Sequence, residues 1–227
     1  MSAAADALGP RPGTLRERDL EEALGTSLER QGPVSEVHRQ FSLTLADLWE
    51  GRVGPVDLAV VGLNPALVEL KWAELPACAW DCLKLAAALV KQQDARGFIV
   101  AAAPVTTWEN GALGSELFSD RRWPLEDLLG QYAEWFAHWR EDVANYPKRL
   151  PAAFGTNALA VATTEIGGEQ WEIRLAEVEV ADPALRRIRY VPTIPSGKLG
   201  NGTAGVDPER SGTRHLTRDD ARWSRGR

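Results

Sequence analysis

Three charged residues lie in apolar segments of this sequence, where ionised side chains are unusual. Asp57 stands in the apolar run 55–61, and Glu69 and Lys71 stand in the apolar run 66–72. Because a buried charge is unfavourable unless it is paired or bound to a metal, these residues mark a candidate site for chemistry. Two carboxylates can hold one or two Mg²⁺ or Mn²⁺ ions, while a nearby lysine orients or deprotonates a water molecule. This combination is suited to hydrolysis of a phosphodiester bond.

The spacing of Glu69 and Lys71 predicts that both side chains lie on one face of a strand, because side chains alternate across a strand. The backbone carbonyl of Leu70 lies between them, and we expect it to join Asp57 and Glu69 as a metal ligand. An alternative interpretation treats Glu69 and Lys71 as cross-strand pairs at a sheet edge, with Asp57 capping a turn. The strongly apolar flanks of both segments favour the first interpretation.

Hydrophobic periodicity predicts the elements that would position these residues. Helical spacing, alternating segments and continuous apolar runs distinguish the predicted helices from the predicted strands. In chain order, the predicted elements are a helix at 14–31, a strand within 34–45, strands at 55–61 and 66–72, a helix at 77–92 and a strand at 98–103. The last strand, helix and strand should form a right-handed parallel crossover.

The second half of the chain predicts a further helix and a hairpin. An apolar face predicts the helix near 125–146. Two strands are predicted at 157–166 and 170–180, and Gly167-Gly168 between them favours a hairpin turn. A short strand is predicted at 187–192.

Composition and these elements predict the domain organisation. Residues 1–13 are rich in Ala, Gly and Pro and are expected to be disordered, and residues 196–227 are expected to form a flexible basic tail. Between them we predict a core at 14–103 and a helix and hairpin extension of the same domain at 104–195.

The charge of the chain is unevenly distributed around a net value of −6 at pH 7. From Arg186 onward, ten arginine and lysine residues oppose four acidic residues, so this end carries +6 and the remainder −12. A basic tail can bind phosphates by releasing counterions, and a solvated disordered end is the alternative interpretation. The acidic body weakens a nucleic-acid interpretation without excluding it.

Cysteine, histidine and hydropathy patterns restrict the class of protein. Cys78 and Cys82 fall in the predicted buried helix, where they indicate small apolar residues rather than a disulfide. The three histidines show no zinc-site spacing, so a metal would be a hard ion held by oxygen atoms. The sequence has neither an apolar stretch of membrane-spanning length nor a secretion signal, and we expect a cytoplasmic protein without membrane partners.

The element order and the positions of the charged residues resemble a known family. Asp57, followed by Glu69-Leu70-Lys71 in the next strand of a helix-strand-strand-strand-helix-strand core, resembles the restriction-endonuclease-like, or PD-(D/E)XK, nuclease superfamily. The resemblance covers residues 14–103, with one departure, since Pro55 stands one position too early for a literal Pro-Asp pair. It implies an α/β fold with a three-layer core and a mixed sheet, and the C-terminal helix and β-hairpin predicted above would extend this core.

The resemblance also implies an activity, a metal and a fourth acidic residue. It implies a Mg²⁺-dependent or Mn²⁺-dependent nuclease that acts on nucleic acid, with DNA favoured over RNA. Asp57, Glu69 and the Leu70 carbonyl would hold the metal, and Lys71 would act as base or orienter. Members of the superfamily often add an acid from the first helix, where the candidates are Glu17, Glu21, Glu22 and Glu29.

Glu21 is the predicted catalytic acid of the first helix. On a helical wheel, Glu17 and Glu21 flank the leucine stripe, while Glu22 and Glu29 point away from it. Glu17 is assigned to a capping box with Thr14, which leaves Glu21 as the fourth member of the site. A solvated glutamate without a catalytic role is the alternative interpretation of Glu21.

Residues outside this set are secondary candidates. A surface pair between Lys84 and Asp81 is preferred over a phosphate contact by Lys84. Trp72, next to the proposed site, and Trp108, after the last core strand, are candidates for stacking on substrate. The aromatic cluster at 135–139 is expected to pack in the interior, or to form a homodimer or partner surface if it is uncovered.

Two functional hypotheses remain from the sequence. The first is the metal-dependent nuclease. The second is a non-catalytic module that uses the same scaffold and the basic tail to join a defence or repair complex. The first hypothesis requires the carboxylates of Asp57 and Glu69 to lie on one face of the sheet, within reach of one metal ion.

Overall fold

A seven-stranded mixed β-sheet with helices on both faces forms the centre of the protein. The computed structural model describes residues 16–30, 36–51, 53–136 and 146–188, which all belong to one compact unit. The helices are α1 (Glu17–Arg30), α2 (Cys78–Lys91), α3 (Val105–Glu109) and α4 (Leu125–Gln131). The strands are β1 (Glu36–Phe41), β2 (Trp49–Glu50), β3 (Val56–Val61), β4 (Ala66–Trp72), β5 (Arg96–Pro104), β6 (Arg121–Pro124), β7 (Tyr146–Pro147), β8 (Arg149–Pro151), β9 (Ala153–Ile166), β10 (Glu169–Glu179) and β11 (Leu185–Arg187).

The strand order in the sheet is β1-β3-β4-β5-β10-β9-β6. Strands β4 and β5 are parallel and are joined through α2, while the other neighbours are antiparallel. The predicted order of helix, three strands, helix and strand is confirmed, with the two-residue β2 inserted after β1. β2 pairs with β7, and β11 pairs with β8, in two small additional sheets.

The two faces of the sheet bury separate apolar clusters. Helix α1 packs Leu20 and Leu24 against the face that carries Val68 and Leu70 of β4. Helix α2 is buried along nearly its whole length and covers the opposite face. Because β5 is covered on both faces, its side chains are apolar in succession, as the sequence predicts. None of the described helices has the length and apolarity that a membrane-spanning helix needs.

The extension contributes strands to the same sheet. The predicted hairpin is confirmed as β9 and β10, and both residues of Gly167-Gly168 have the positive φ that a tight hairpin turn favours. The predicted helix at 125–146 is interrupted among the described residues: α4 ends at Gln131, directly after Gly130, Tyr132 leaves the helical region, and residues 133–136 are helical again.

Several predicted segments fall partly or wholly outside the described residues. The strand predicted at 187–192 is described only to residue 188, and β11 ends at Arg187. The predicted disordered segment 1–13, the flexible tail 196–227 and residues 137–145 of the predicted helix lie outside the described ranges.

Gly114 supports the segment that leads into α2, and we predict that it cannot be replaced. Its φ is +102°, and a Cβ at this position would lie 2.2 Å from the carbonyl oxygen of Leu75. Gly111 has a φ of +62°, but a Cβ there would meet no atom within 4 Å. We expect Gly114→Ala to lower the free energy of unfolding by about 3 kcal/mol or more, and Gly111→Ala by about 1 kcal/mol. Urea denaturation measures both, and equal losses would contradict the proposed clash.

Candidate active site

The sheet register brings the predicted carboxylates together. Strands β3 and β4 are antiparallel, with Leu58 opposite Val68. Continuing this register by one residue sets Asp57 opposite Glu69. Residues directly opposite each other in an antiparallel pair point to the same face. This extended register places the two carboxylates on one face of the sheet, which is the first of the two conditions of the nuclease hypothesis.

Asp57 is half-buried and is held by two hydrogen bonds. Its Oδ2 accepts a hydrogen bond from the backbone N–H of Leu70 at 2.7 Å, and its Oδ1 accepts one from Nε2 of Gln40 at 3.3 Å. Gln40 has a φ of +52°, which is uncommon for a residue other than glycine. No sequence pattern pointed to Gln40, because its role depends on this local backbone conformation. Asp57 thus ties β3 to both β4 and β1.

Glu69 is buried and forms an ion pair with Lys84. The exposed fraction of Glu69 is 2%, and its Oε1 lies 2.6 Å from Nζ of Lys84. Burial raises the pKa of the Glu69 carboxyl well above its usual value, and the neighbouring charge of Asp81 adds to this rise while Lys84 opposes it. The preferred interpretation of Lys84 as a surface residue is wrong, because only 7% of the residue is exposed.

Helix α2 supplies two buried charges that the sequence analysis assigned to the surface. Nζ of Lys84 donates a hydrogen bond to the carbonyl oxygen of Pro55 at 2.9 Å and lies 3.8 Å from Oδ1 of Asp81. Asp81 is itself only 4% exposed, and its Oδ2 lies 3.2 Å from Nζ of Lys71. The available signal was that a helix apolar on almost every side leaves no solvated stripe for its charged residues.

Lys71 is surrounded by oxygen atoms. Its Nζ donates a hydrogen bond to the carbonyl oxygen of Leu70 at 2.9 Å. Burial disfavours the charged ammonium, but the carboxylates around it, led by Asp81 and Glu17, outweigh burial and raise the pKa of Lys71 above its usual value. The two predicted roles of Lys71, base and orienter, stay predictions.

Glu17 of α1 lies at the site, although the sequence analysis assigned it to a helix cap. Its Oε2 is 3.6 Å from Nζ of Lys71. Thr14, the other half of the predicted capping box, lies outside the described residues. Burial raises the pKa of the Glu17 carboxyl, and Lys71 opposes part of that rise. Glu17 therefore belongs with the site residues as well as with the helix N-terminus.

Glu21, one turn further along α1, also faces the site. Its Oε2 accepts a hydrogen bond from Nε2 of Gln40 at 3.2 Å, and the same amide bonds Asp57. Burial raises the pKa of the Glu21 carboxyl, and the charge of Asp57 adds to the rise. Glu29, the more distant candidate, pairs instead with Arg39 at 2.8 Å.

The two tryptophans predicted near the substrate have different environments. Trp72 is half-buried and stacks on Trp171, with ring centroids 4.5 Å apart. Trp108 is only 5% exposed, and its indole N–H donates to the carbonyl oxygen of Ala103 at 3.2 Å. Trp108 also packs edge-on against Phe118. The substrate-contact interpretation is therefore wrong for Trp108, which is a core residue.

The acidic side chains of the site are oxygen donors, the kind of ligand that a hard divalent cation takes, and lysines pair with Glu69 and Asp81. Within the described ranges, no group of three or more His, Cys, Asp or Glu side chains has the arrangement of a metal site as it stands. Oε1 of Glu69 and Oδ2 of Asp81 are nevertheless buried without a hydrogen-bond partner among these residues, and each meets a lysine only as an ion pair. The site combines two lysines, Lys71 and Lys84, with five carboxylates, Glu17, Glu21, Asp57, Glu69 and Asp81. Oxygen donors with an excess of negative charge suit Mg²⁺ or Mn²⁺.

Comparisons with known proteins identify no relative of this chain. No family model matches it, and the searches of curated proteins and of solved structures gave no match either.

Proposed function

We propose that the protein is a metal-dependent nuclease with a restriction-endonuclease-like core. The observation that carries this proposal is the convergence of Asp57, Glu69 and Lys71 on one face of two neighbouring strands, with acids of α1 beside them. The order β1-β3-β4-β5, with β4 and β5 parallel across α2, supports the same core. Asp57 and Glu69, with the carbonyl of Leu70, would hold the metal. When bound, Mg²⁺ or Mn²⁺ supplies a polarised phosphoryl oxygen and an activated water.

The surrounding residues fix the positions of these groups. Lys71, held by the carbonyl of Leu70 and by Asp81, presents a permanent positive charge that can orient water and stabilise the negative charge that develops on the phosphate. Gln40 couples Glu21 to Asp57 and so fixes the carboxylate of Asp57 from the side of α1. The substrate class is nucleic acid, with DNA favoured by the resemblance to the superfamily.

One observation favours a second candidate function. Lys84 neutralises Glu69, and a buried carboxylate paired with a lysine can contribute to the fold without binding a metal. On this alternative, the protein is a non-catalytic interaction module with a nuclease-like scaffold.

Replacement of Lys71 distinguishes the two functions. We expect the wild type to cleave plasmid DNA, single-stranded DNA or RNA in Mg²⁺ or Mn²⁺ but not in EDTA. Lys71→Met should reduce the rate by about 10²-fold or more, because it removes the fixed charge beside the reacting phosphate. Gel electrophoresis of end-labelled substrates measures the cleavage.

Lys91→Met is the matched control. Lys91 lies at the exposed end of α2 and pairs with Asp47, so its loss should leave cleavage unchanged. A wild type that is inert on all three substrates with both metals would refute the nuclease. Equal rates for Lys71→Met and the wild type would refute the role assigned to Lys71.

A further inference from the structure

Lys84 occupies a position that has the features of a cation-binding site. Its Nζ lies 2.6 Å from Oε1 of Glu69, 2.9 Å from the carbonyl oxygen of Pro55 and 3.8 Å from Oδ1 of Asp81. We call these three oxygen atoms the Lys84 cage. Two carboxylates and a backbone carbonyl are the donors that a hard divalent cation takes.

We propose that the ammonium group of Lys84 replaces a second metal ion, so that the site binds a single divalent cation. This inference rests on the proposed nuclease function and specifies its metal content. The single cation would be shared by Asp57, the second carboxylate oxygen of Glu69 and the carbonyl of Leu70.

The burial of the cage supports this assignment. Glu69, Asp81 and Lys84 are 2%, 4% and 7% exposed, so water does not satisfy their charges. Nζ of Lys84 donates one hydrogen bond, to the carbonyl oxygen of Pro55, and forms ion pairs with the two carboxylates of the cage. Oε1 of Glu69 is buried, and its only partner among the described residues is the ammonium group of Lys84 at 2.6 Å. Lys84 therefore neutralises the charge at Oε1 of Glu69, as a bound cation would.

Charge repulsion explains why a metal would not share the cage with Lys84. Nζ of Lys84 already lies between the three oxygen atoms of the cage, and a metal ion at that same position would meet the ammonium charge at contact distance. A cation that binds beside Lys84 must therefore use oxygen atoms outside the cage. Removing the lysine, by contrast, leaves two buried carboxylates around an open space.

Counting bound Mn²⁺ tests the proposal. Each protein is titrated with Mn²⁺ to saturation without nucleic acid, and the electron paramagnetic resonance signal of free Mn²⁺ gives the number of bound ions by difference. The proteins compared are the wild type, Lys84→Ala and Lys84→Met. Alanine opens the cage, whereas methionine fills it without a charge. We expect one bound Mn²⁺ for the wild type, two for Lys84→Ala and one for Lys84→Met. Mn²⁺ should also raise the unfolding temperature of Lys84→Ala more than that of Lys84→Met.

The outcomes separate this inference from the proposed function. Two bound Mn²⁺ in the wild type would overturn the inference even if neither variant folds, and would leave the nuclease intact. Equal stoichiometry in Lys84→Ala and Lys84→Met would also overturn it. A wild type that binds one Mn²⁺ but cleaves no nucleic acid would refute the nuclease alone. A wild type that binds none would refute both.

Discussion

The Asp57→Asn variant is expected to lose nuclease activity by about 10²- to 10³-fold while unfolding at the same temperature as the wild type or a higher one. The loss of activity follows from the removal of a carboxylate that would hold the metal. The side chain keeps its size, so the sheet around it should be undisturbed. This opposite response of activity and stability is expected where a site holds like charges together for function.

The stability of this variant follows from the charges around Asp57. Burial is the largest cause that raises the pKa of the neighbouring carboxyl groups, and the negative charge of Asp57 adds to the rise in each of Glu17, Glu21, Glu69 and Asp81. Replacing the carboxylate by an amide removes this repulsion. The amide oxygen can still accept the hydrogen bond that Asp57 receives from the backbone N–H of Leu70.

Thermal unfolding in EDTA and in Mn²⁺, measured beside the cleavage rate, checks this expectation. The wild type should be stabilised by Mn²⁺, and Asp57→Asn should lose that stabilisation. Asp47→Asn is the control, since Asp47 is an exposed carboxylate that pairs with Lys91 away from the site. Retained cleavage in Asp57→Asn, or a marked loss of its stability in EDTA, would contradict the assignment of Asp57.

The strands and the central residues of the site could be predicted because their signals are local. Alternation within β4 determines that Glu69 and Lys71 share a face, and the apolar run of β5 reports burial on both sides. The chain order of these strands then makes Asp57 and Glu69 neighbours. The restriction-endonuclease-like assignment stays a prediction, as do the catalytic roles.

The charged residues that α2 adds to the site could not be predicted from a local sequence pattern, because their direction depends on how the helix is rotated against the sheet. Asp81 and Lys84 look like a surface stripe in the sequence, yet the helix directs both toward β4. The position of the Gln40 side chain depends on an unusual backbone conformation. The contact between Glu17 and Lys71 depends on where the first turn of α1 lies relative to β4. Trp108 was misassigned because a tryptophan near a proposed site and one in the core have the same sequence signature.

The buried pair of Glu69 and Lys84 provides the second large effect. We expect Lys84→Met to lower the free energy of unfolding by about 3–5 kcal/mol in EDTA, because it leaves the Glu69 carboxylate buried without its partner. The double variant Glu69→Gln/Lys84→Met removes both charges, and it should recover most of the loss. Urea denaturation of the wild type, both single variants and the double variant gives the coupling free energy between the two residues.

The exposed pair of Asp47 and Lys91 is the matched control for this cycle. Lys91→Met should have a much smaller effect on stability, because solvent screens the charge of Asp47. Additive losses in the Glu69 and Lys84 cycle would show that the two residues are not energetically coupled. If the double variant is stable but fails to bind Mn²⁺ or cleave nucleic acid, the pair is not required for folding. The charged pair would then be retained for the chemistry of Glu69, since an uncharged pair serves the fold equally well.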